Sequence, residues 1–359
     1  MLKFVKHLFK KSHSNLAIPI LDGALKPNNL LENADIILEK PGLEDMALTP
    51  DGQLLLAAGT EILLFDGKTT RVLARHDEKI TAIAVLPDGR YVVALGRKII
   101  IQGDPIEIIK ALDRPFMAIT SLTPRPDGRI LVCDASSNYT YQKWQYDLMT
   151  KGCTGRLIML DPVSGNIELL QDRLSWAFGA LEIGANTLVS ESWRHRLSFI
   201  ESNNDIEELP GYPARITSTL DGGFWLSLFS GRAQIVEFVL SEDKFRSEMM
   251  ATIDPKHWIC PALSSGDDFL EPMQSGGVKH MGILKPWAPP RSYGLALRFD
   301  ASCNPLMSVH SRVGGKNHGI VTALEKGNCV FFISKGADRL LCLDVQTIRS
   351  INGLKTNAK

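Results

Sequence analysis

The residues best suited to bind a ligand lie between two apolar runs, 130–134 and 157–161. The intervening segment, residues 135–153, carries four aromatic side chains, which are Tyr139, Tyr141, Trp144 and Tyr146. Disordered segments are poor in aromatic residues, so this segment is predicted to be an ordered lid over a pocket. A loop that packs on a neighbouring strand for stability alone is the alternative. Aromatic rings are better suited to shape an apolar ligand pocket than to carry out chemistry.

Short motifs that specify a reaction are missing from the sequence. It contains no GxSxG nucleophile elbow, no phosphate-binding loop and no HExxH zinc motif. The six cysteines include no CxxC pair, which gives no support to a zinc or redox centre. A disulfide framework is not expected in a chain of this size and cysteine density.

A turn followed by an apolar run recurs along the chain. The first three turns read Pro-Asp-Gly, and three degenerate copies follow. The six turns lie at residues 50–52, 87–89, 126–128, 184–186, 221–223 and 326–328. Asp-Gly and Asn-containing turns favour tight hairpins, and short strands with a period of about 40 residues are typical of propeller blades. The sequence therefore predicts an all-β fold, a six-bladed β-propeller.

The domain organisation follows from the closed ring. Residues 30–350 are predicted to form a single propeller, with an N-terminal extension at 1–29 and a C-terminal tail at 351–359. Two long insertions interrupt the repeat, at 135–153 and at 241–293, and a short helix is expected near 267–273. Loops of this length are usually functional when they are ordered, so both are expected to cover the same mouth of the central channel.

Charge and hydropathy limit the partners. The 40 basic and 40 acidic residues balance, so no basic field favours nucleic acid. No apolar run reaches the length of about 18 residues that a transmembrane helix needs, and no signal peptide is recognised. A cytoplasmic location is therefore expected. Residues 1–14 mix lysines with apolar residues, as in a basic amphipathic helix with weak membrane-surface contact, or they are a frayed terminus.

Several longer stretches resemble the strictosidine synthase-like family. The resemblance rests on residues 134–139, 154–162, 179–193 and 209–225 and extends over about 40–345. The family belongs to a superfamily of six-bladed propellers with gluconolactonases, regucalcin and paraoxonases. The resemblance implies a small-molecule site at the channel mouth. Most of these relatives are calcium-dependent lactonases or esterases, whereas the plant synthase condenses an amine with an aldehyde without a metal.

The resemblance also assigns the positions at which the relatives bind calcium. Glu44 matches the first carboxylate ligand, and Thr120 or Ser121 falls where an Asn-Asp pair is usual. Phe178 and Arg215 occupy positions where oxygen ligands are expected. Calcium prefers oxygen ligands, and an arginine would repel it. No metal and no other cofactor is therefore expected, although family analogy alone suggests calcium.

The catalytic Glu of the synthase aligns with Thr322, which cannot deprotonate an amine near neutral pH. His318, with an ordinary pKa of about 6.5, is the candidate general base, and Glu44 is a further catalytic candidate. Arg215 either clamps a carboxylate or phosphate or forms an ion pair with Glu44 that plugs the channel. The remaining ligand-binding candidates are Thr120, Ser121, Phe178, Tyr139, Tyr141 and Trp144.

The sequence leaves open whether the protein is an enzyme. One hypothesis is a metal-independent or divergent hydrolase, lactonase-like or esterase-like, or a condensing lyase of the synthase type. A second is a non-catalytic propeller that binds a small anion or metabolite. A third is a protein-interaction platform on the propeller rim. All three are compatible with the fold, since function must be argued from the site.

Overall fold

The strands of the computed structural model form six antiparallel blades around a central channel, which confirms the predicted six-bladed β-propeller. The structure describes residues 18–102, 104–105, 114–202, 204–266, 270–271, 279–280, 283–284, 291–345 and 348. Blade 1 contains β2 (Leu43–Leu48), β3 (Leu54–Ala58), β4 (Glu61–Phe65) and β5 (Thr70–Arg75). Blade 2 contains β6 (Ala82–Val85), β7 (Tyr91–Ala94), β8 (Ile99–Ile101) and β9 (Asp104–Pro105). Blade 3 contains β10 (Ile119–Pro124), β11 (Ile130–Asp134), β12 (Gly155–Leu160) and β13 (Ile167–Leu174).

Blade 4 contains β14 (Ala177–Ile183), β15 (Asn186–Glu191) and β16 (Arg196–Phe199). Blade 5 contains β17 (Gly211–Ser218), β18 (Phe224–Gly231), β21 (Gly294–Phe299) and β22 (Pro305–Ser311). Blade 6 contains β23 (Ile320–Lys326), β24 (Cys329–Ser334), β25 (Arg339–Asp344) and the N-terminal strand β1 (Asp35–Glu39). In blades 1 to 5 the first strand in sequence order is the inner strand, whereas in blade 6 the inner strand is β23. The neighbouring inner strands contact one another around the ring.

The repeated turns form the hairpins that the sequence predicts. Gly52, Gly89, Gly128 and Gly222 have φ angles of 77°, 87°, 86° and 83°, a backbone region that glycine adopts without steric cost. The strands after the first and third of these turns, β3 and β11, are buried along their whole length. Burial on both faces explains why these strands read as continuous apolar runs instead of alternating ones.

The ring closes through the N-terminal strand. β1 pairs antiparallel with β25, with Asp35 opposite Cys342 and Glu39 opposite Arg339. Blade 6 is therefore built from both ends of the propeller sequence. The repeat pattern does not predict this closure, because β1 follows no turn of the recurring type.

Both insertions contain regular structure. The first holds a 3-10 turn, Tyr141–Lys143, and helix α1, Trp144–Met149, so the segment is ordered as predicted. The second begins earlier than predicted, because β18 ends at Gly231 and helices α2 (Gln234–Ser241) and α3 (Asp243–Thr252) follow. The remaining elements of the second insertion are a 3-10 turn, Pro255–His257, and the short strands β19 (Lys279–His280) and β20 (Ile283–Leu284). A further 3-10 turn, Gly23–Leu25, lies near the N-terminus.

Three sequence expectations lie outside the described residues. They are the basic N-terminal segment 1–14, the C-terminal tail 351–359 and most of the short helix expected near 267–273. The predicted domain boundaries stay a prediction.

The core lies between the blades. Trp225 of blade 5 meets Phe332 of blade 6 edge to face, with ring centroids 5.6 Å apart. In blade 3 the buried guanidinium of Arg156 pairs with Asp134 at 3.0 Å. The first contact fills the space between two neighbouring sheets, whereas the second joins paired strands of one sheet.

Leu341→Ala should lower the free energy of unfolding by about 2–5 kcal/mol, because Leu341 is completely buried in β25 and its removal leaves a cavity. The matched control is Val163→Ala, because Val163 is 86% exposed and should change stability by less than about 0.5 kcal/mol. Urea unfolding followed by circular dichroism measures both. Equal effects of the two substitutions would contradict the assigned packing of blade 6.

Candidate functional site

Arg215, on inner strand β17, crosses the central channel and is buried. Its Nη1 donates to the Glu44 carbonyl at 3.0 Å and to the Thr322 hydroxyl at 3.2 Å. Its Nη2 donates to the Thr81 carbonyl at 2.6 Å. These contacts join blade 5 to blades 1, 2 and 6, so the guanidinium ties four blades together across the channel.

Asp45 is the principal charge partner of Arg215. Its Oδ2 lies 3.2 Å from Nε of Arg215, whereas the nearest Glu44 carboxylate oxygen is 3.6 Å from Nη2. Asp45 also accepts hydrogen bonds from the Ile83 amide and the Thr322 hydroxyl, each at 3.0 Å. Burial raises the pKa of Asp45, and Arg215 opposes that rise. Of the two roles predicted for Arg215, a ligand clamp and an ion pair with Glu44, the structure contains the ion pair as the longer contact, and Asp45 is a partner that the sequence did not indicate.

Irregular pairing in the inner strands explains how adjacent residues reach different partners. The register shifts between Leu43 and Asp45, and comparable shifts occur near Thr120, Phe178, Arg215 and Val321. A bulge redirects a side chain that would otherwise alternate regularly between the faces of the strand. Glu44 and Asp45 are consequently both buried.

Glu44 belongs to a second polar group with Tyr141 of the lid and Lys335. The Tyr141 hydroxyl donates to Oε1 of Glu44, and Nζ of Lys335 donates to Oε2, both at 2.5 Å. Lys335 also donates to the Tyr141 oxygen at 3.1 Å. Lys335 follows the last residue of β24, and no motif in the sequence indicates its role in the site.

The pKa values of Lys335 and Tyr141 favour a cation and a neutral phenol. Burial lowers the pKa of Lys335, but Glu44 and Tyr141 raise it, and the net shift is upward. Burial and the Glu44 carboxylate raise the pKa of Tyr141 to about 12. Lys335 therefore stays charged and Tyr141 stays protonated near neutral pH.

An aromatic cavity lies directly beside this group, and we call this end of the channel the aromatic mouth. Its volume is about 20 Å³. Lys335 is the one charged residue among its described lining residues, which are Tyr141, Trp144, Trp176, Phe178, Phe229, Leu263, Val321 and Lys335. The mouth therefore combines an apolar wall with one ammonium group.

The lid is fixed on the mouth through Asp147 of helix α1. Its two carboxylate oxygens accept hydrogen bonds from the Ser136 hydroxyl at 2.5 Å and the Trp193 indole at 2.7 Å. Gly152 passes so close to this carboxylate that a side chain there would collide with it. These contacts link the lid to blade 4 and place Tyr141 above the channel.

The other predicted ligand-binding residues divide between the channel, the mouth and the outside of the lid. Phe178 faces the Arg215 guanidinium at 5.3 Å and contacts the ring of Tyr141 at 6.2 Å. Trp144 meets Phe229 edge to face at 5.4 Å. Tyr139 stacks on Tyr146 at 6.0 Å and is not among the described residues that line the cavity.

Thr120 and Ser121 lie deeper in the channel. The Thr120 hydroxyl donates to the Ala177 carbonyl at 2.8 Å, which joins blades 3 and 4. Ser121 lines a separate cavity of about 400 Å³ on the other side of Arg215. Arg215 also lines that cavity, and its guanidinium faces Phe178, which lines the aromatic mouth, so Arg215 lies between the wide side of the channel and the mouth.

His318 lies apart from the channel group. Its ring contacts Ser292, Tyr293 and the carbonyl of Arg312, and none of its described hydrogen bonds or ring contacts involves Glu44, Arg215 or Thr322. Thr322 itself is occupied between Arg215 and Asp45. The structure therefore brings Glu44, Arg215 and Thr322 together and places His318 elsewhere.

The residues at the channel centre do not fit a divalent cation. Arg215 lies against Asp45, and Lys335 lies against Glu44, so a cationic side chain already neutralises each carboxylate. The described residues include no group of three or more His, Cys, Asp or Glu side chains arranged to hold a metal. A calcium ion would also be repelled by the guanidinium. The absence of a calcium site stays a prediction.

The fold and the covered mouth define a six-bladed propeller of the architecture seen in gluconolactonases and regucalcin. A gluconolactonase from Xanthomonas campestris has a TM-score of 0.55 at 13% identity, with 86% of this chain and 88% of that chain covered. The calcium-binding protein regucalcin from Agrobacterium tumefaciens has a TM-score of 0.52 at 8% identity, with 86% and 92% covered. At these identities the likeness concerns the fold.

Sequence comparison finds distant homologues. Human adipocyte plasma membrane-associated protein is 24% identical over 245 residues, which cover 58% of this chain and 59% of the human protein. The rat protein of the same name is 23% identical over 300 residues, 73% and 80% of the two chains. Strictosidine synthase-like 4 of Arabidopsis thaliana is 25% identical over 122 residues, 32% and 33% of the two chains. The resemblance inferred from the sequence is confirmed at this distance.

No family model matches the chain. The alignment spans about three fifths of the human relative, 59% of its length. Across the part of the chain that the structure describes, no helix is long and apolar enough to cross a membrane.

Arg215→Met should lower the free energy of unfolding at pH 7 by about 3–5 kcal/mol, because it leaves Asp45 buried without its cation. Burial then raises the folded-state pKa of Asp45 further above its value in the unfolded chain. Stability is retained while Asp45 is protonated and is lost as the pH rises through the folded-state pKa. The penalty should therefore be larger at pH 7 than at pH 4, as measured by urea unfolding across this range.

The double variant Arg215→Met with Asp45→Asn is the matched control, because an amide has no charge to bury. It should remove the added pH dependence. A penalty that is the same at pH 4 and pH 7 in the single variant would contradict the assigned charge pair.

Proposed function

We propose that this protein binds a small organic ester or lactone at the aromatic mouth and hydrolyses it without a metal ion. The observation that carries the proposal is Lys335, the one charged group among the described residues of the cavity wall, hydrogen-bonded to Glu44 and Tyr141. Pockets that combine apolar walls with a few placed polar groups are typical of small-molecule sites.

The aromatic wall supplies affinity for an apolar ligand body. Trp144, Trp176, Phe178 and Phe229 present rings to the cavity, and burying apolar surface is favourable by about 25 cal/mol per Å². The cavity of about 20 Å³ is too small for an ester or lactone, so binding requires the lid residues Tyr141 and Trp144 to move. The lid therefore controls entry.

Lys335 supplies electrostatic stabilisation. Its ammonium would donate to the carbonyl oxygen of the bound ester, where negative charge develops as the carbonyl carbon is attacked. Glu44 would accept a proton from the attacking water once the lid has moved and Tyr141 no longer holds one of its oxygens.

The relatives support this class of reaction. The Xanthomonas campestris neighbour is described as a gluconolactonase, and one distant homologue is named for strictosidine synthase. The described channel residues suit a mechanism without a metal, because Arg215 and Lys335 already neutralise the carboxylates.

A second candidate function is binding of the same molecule without turnover. It is favoured by Glu44, whose two carboxylate oxygens both accept hydrogen bonds in the closed structure. In that case the lid and Lys335 recognise the ligand, and no base becomes available to activate water.

Hydrolysis should be detectable with a panel of γ- and δ-lactones and aryl acetates, assayed with EDTA in a pH-stat. Lys335→Met and Glu44→Gln should each lower kcat/KM by about 10²-fold or more, because each removes stabilisation of the transition state. Lys98→Met is the matched control, because Lys98 is 66% exposed in an ion pair on blade 2. It should leave kcat/KM unchanged.

Thermal unfolding of each variant separates lost activity from lost folding. Hydrolysis that EDTA abolishes, or that survives both substitutions in folded protein, would overturn the proposed mechanism. Lactone binding by calorimetry without turnover would favour the second candidate.

A further inference from the structure

Three polar side chains outside the channel form a continuous hydrogen-bonded row. The Oγ atoms of Ser265 and Ser292 are 2.7 Å apart, and Oγ of Ser292 is 2.7 Å from Nδ1 of His318. Nε2 of His318 lies 3.1 Å from the carbonyl oxygen of Arg312. None of these contacts involves the aromatic cavity.

The Arg312 carbonyl fixes the direction of the row. A carbonyl oxygen only accepts hydrogen bonds, so Nε2 of His318 carries the hydrogen and Nδ1 has a free lone pair. Ser292 then donates to Nδ1, and Ser265 donates to Ser292. The hydrogen bonds therefore lead from the Ser265 hydroxyl to a basic nitrogen.

The buried residues Ser292 and His318 can pass a proton between them, whereas the partly exposed Ser265 can reach a ligand. Ser292 and His318 are 1% and 3% exposed, whereas Ser265 is partly exposed. Burial lowers the pKa of His318, and the Arg312 carbonyl and Glu32 oppose that change. The imidazole is therefore neutral, and able to accept a proton, at neutral pH.

The backbone around the row is held by close contacts. The Ala262 amide donates to the Arg291 carbonyl at 2.9 Å, which aligns the segments that carry Ser265 and Ser292. A Cβ atom on Gly336 would lie only 1.9 Å from the Leu263 carbonyl oxygen. Glycine at 336 therefore permits the 263–265 segment to sit directly on the loop beside His318.

We propose that Ser265 is a nucleophilic serine that His318 activates through Ser292. Its Oγ would bond to the carbonyl carbon of a small ester, and the bond from that carbon to the alcohol oxygen would break. The Ser265 proton passes to Ser292 as the Ser292 proton passes to Nδ1 of His318. The same route returns a proton to the departing alcohol, and water later releases the acid in the same manner.

In this arrangement Ser265 is the catalytic residue, whereas Ser292 and His318 are positioning residues that move its proton. The inference uses other residues than the proposed function, neither Glu44 nor Lys335. Ester hydrolysis that survives Lys335→Met and Glu44→Gln but is lost in Ser265→Ala would therefore support this site and count against the aromatic mouth. Activation by a positioned base contributes typically about 10²–10⁴-fold to a rate.

The test is covalent labelling of the whole chain with a fluorophosphonate probe, followed by peptide mass spectrometry. The expected result is a single adduct on Ser265 at pH 7.5, which is lost in Ser265→Ala. Ser264→Ala is the matched control, because Ser264 is the adjacent, equally half-buried hydroxyl, and it should label at the wild-type rate. Ser292→Ala and His318→Gln should slow labelling by about 10²-fold.

Two further readouts distinguish a relay from a structural role. Ser292→Thr keeps the hydroxyl and should restore most of the labelling rate. The wild-type rate should fall in acid with a midpoint below about 6.5, the ordinary pKa of histidine, because burial lowers the pKa of His318.

No adduct on the wild-type protein, an adduct at Ser264, or wild-type labelling of folded Ser292→Ala would overturn the proposal. If the Ala or Gln variants fail to fold, the Thr variant and the pH profile decide. A midpoint at or above 6.5, loss of labelling in folded Ser292→Thr, or unchanged labelling in Ser265→Ala would overturn it as well.

Discussion

The rest of the structure depends on a guanidinium that is buried on the channel axis. A charge removed from water is costly unless it is paired and hydrogen-bonded, and Arg215 meets this condition through Asp45, Thr322 and the carbonyls of Glu44 and Thr81. These partners belong to three other blades, so the ring can satisfy the charge only when it is closed. The guanidinium also separates the wide cavity of the channel from the aromatic mouth.

Because Arg215 pairs mainly with Asp45, the Glu44 carboxylate is available to residues on the lid side of the channel. The bulge in β2 places these two adjacent carboxylates among different partners, and Lys335 and Tyr141 then hold Glu44 at the mouth. Two cations and two carboxylates thus alternate along the channel, and no pair of carboxylates is left to share a metal. The lid retained over this mouth covers a site built on an ammonium group.

The fold could be predicted because its signals are local. Pro-Asp-Gly turns specify hairpins, and the aromatic residues of the lid indicate order. Helices α2 and α3 were missed, although Val236 and Val239 of α2 show helical spacing on its buried face. Closure by β1 and the role of Lys335 depend on contacts between residues about 300 positions apart, which no local pattern encodes.

The candidate site was predicted in part for the same reason. Alignment selected Glu44, Arg215 and Thr322, which the structure brings together, but the bulge that also buries Asp45 is not visible in the sequence. His318 was grouped with them because it precedes the inner strand β23, yet its loop directs the ring toward Ser292. The position of a residue relative to an inner strand therefore predicts its approximate location in the fold, but not the side chain with which it forms a hydrogen bond.

We propose that Arg215 and Lys335 take the place of a metal at the channel centre. Isothermal titration calorimetry of chelator-treated protein with calcium chloride tests this most directly. No stoichiometric binding is expected in the wild-type protein, because Arg215 and Lys335 neutralise the carboxylates that would ligate the ion. Tight binding of one calcium ion that is lost in Glu44→Gln or Asp45→Asn would contradict it.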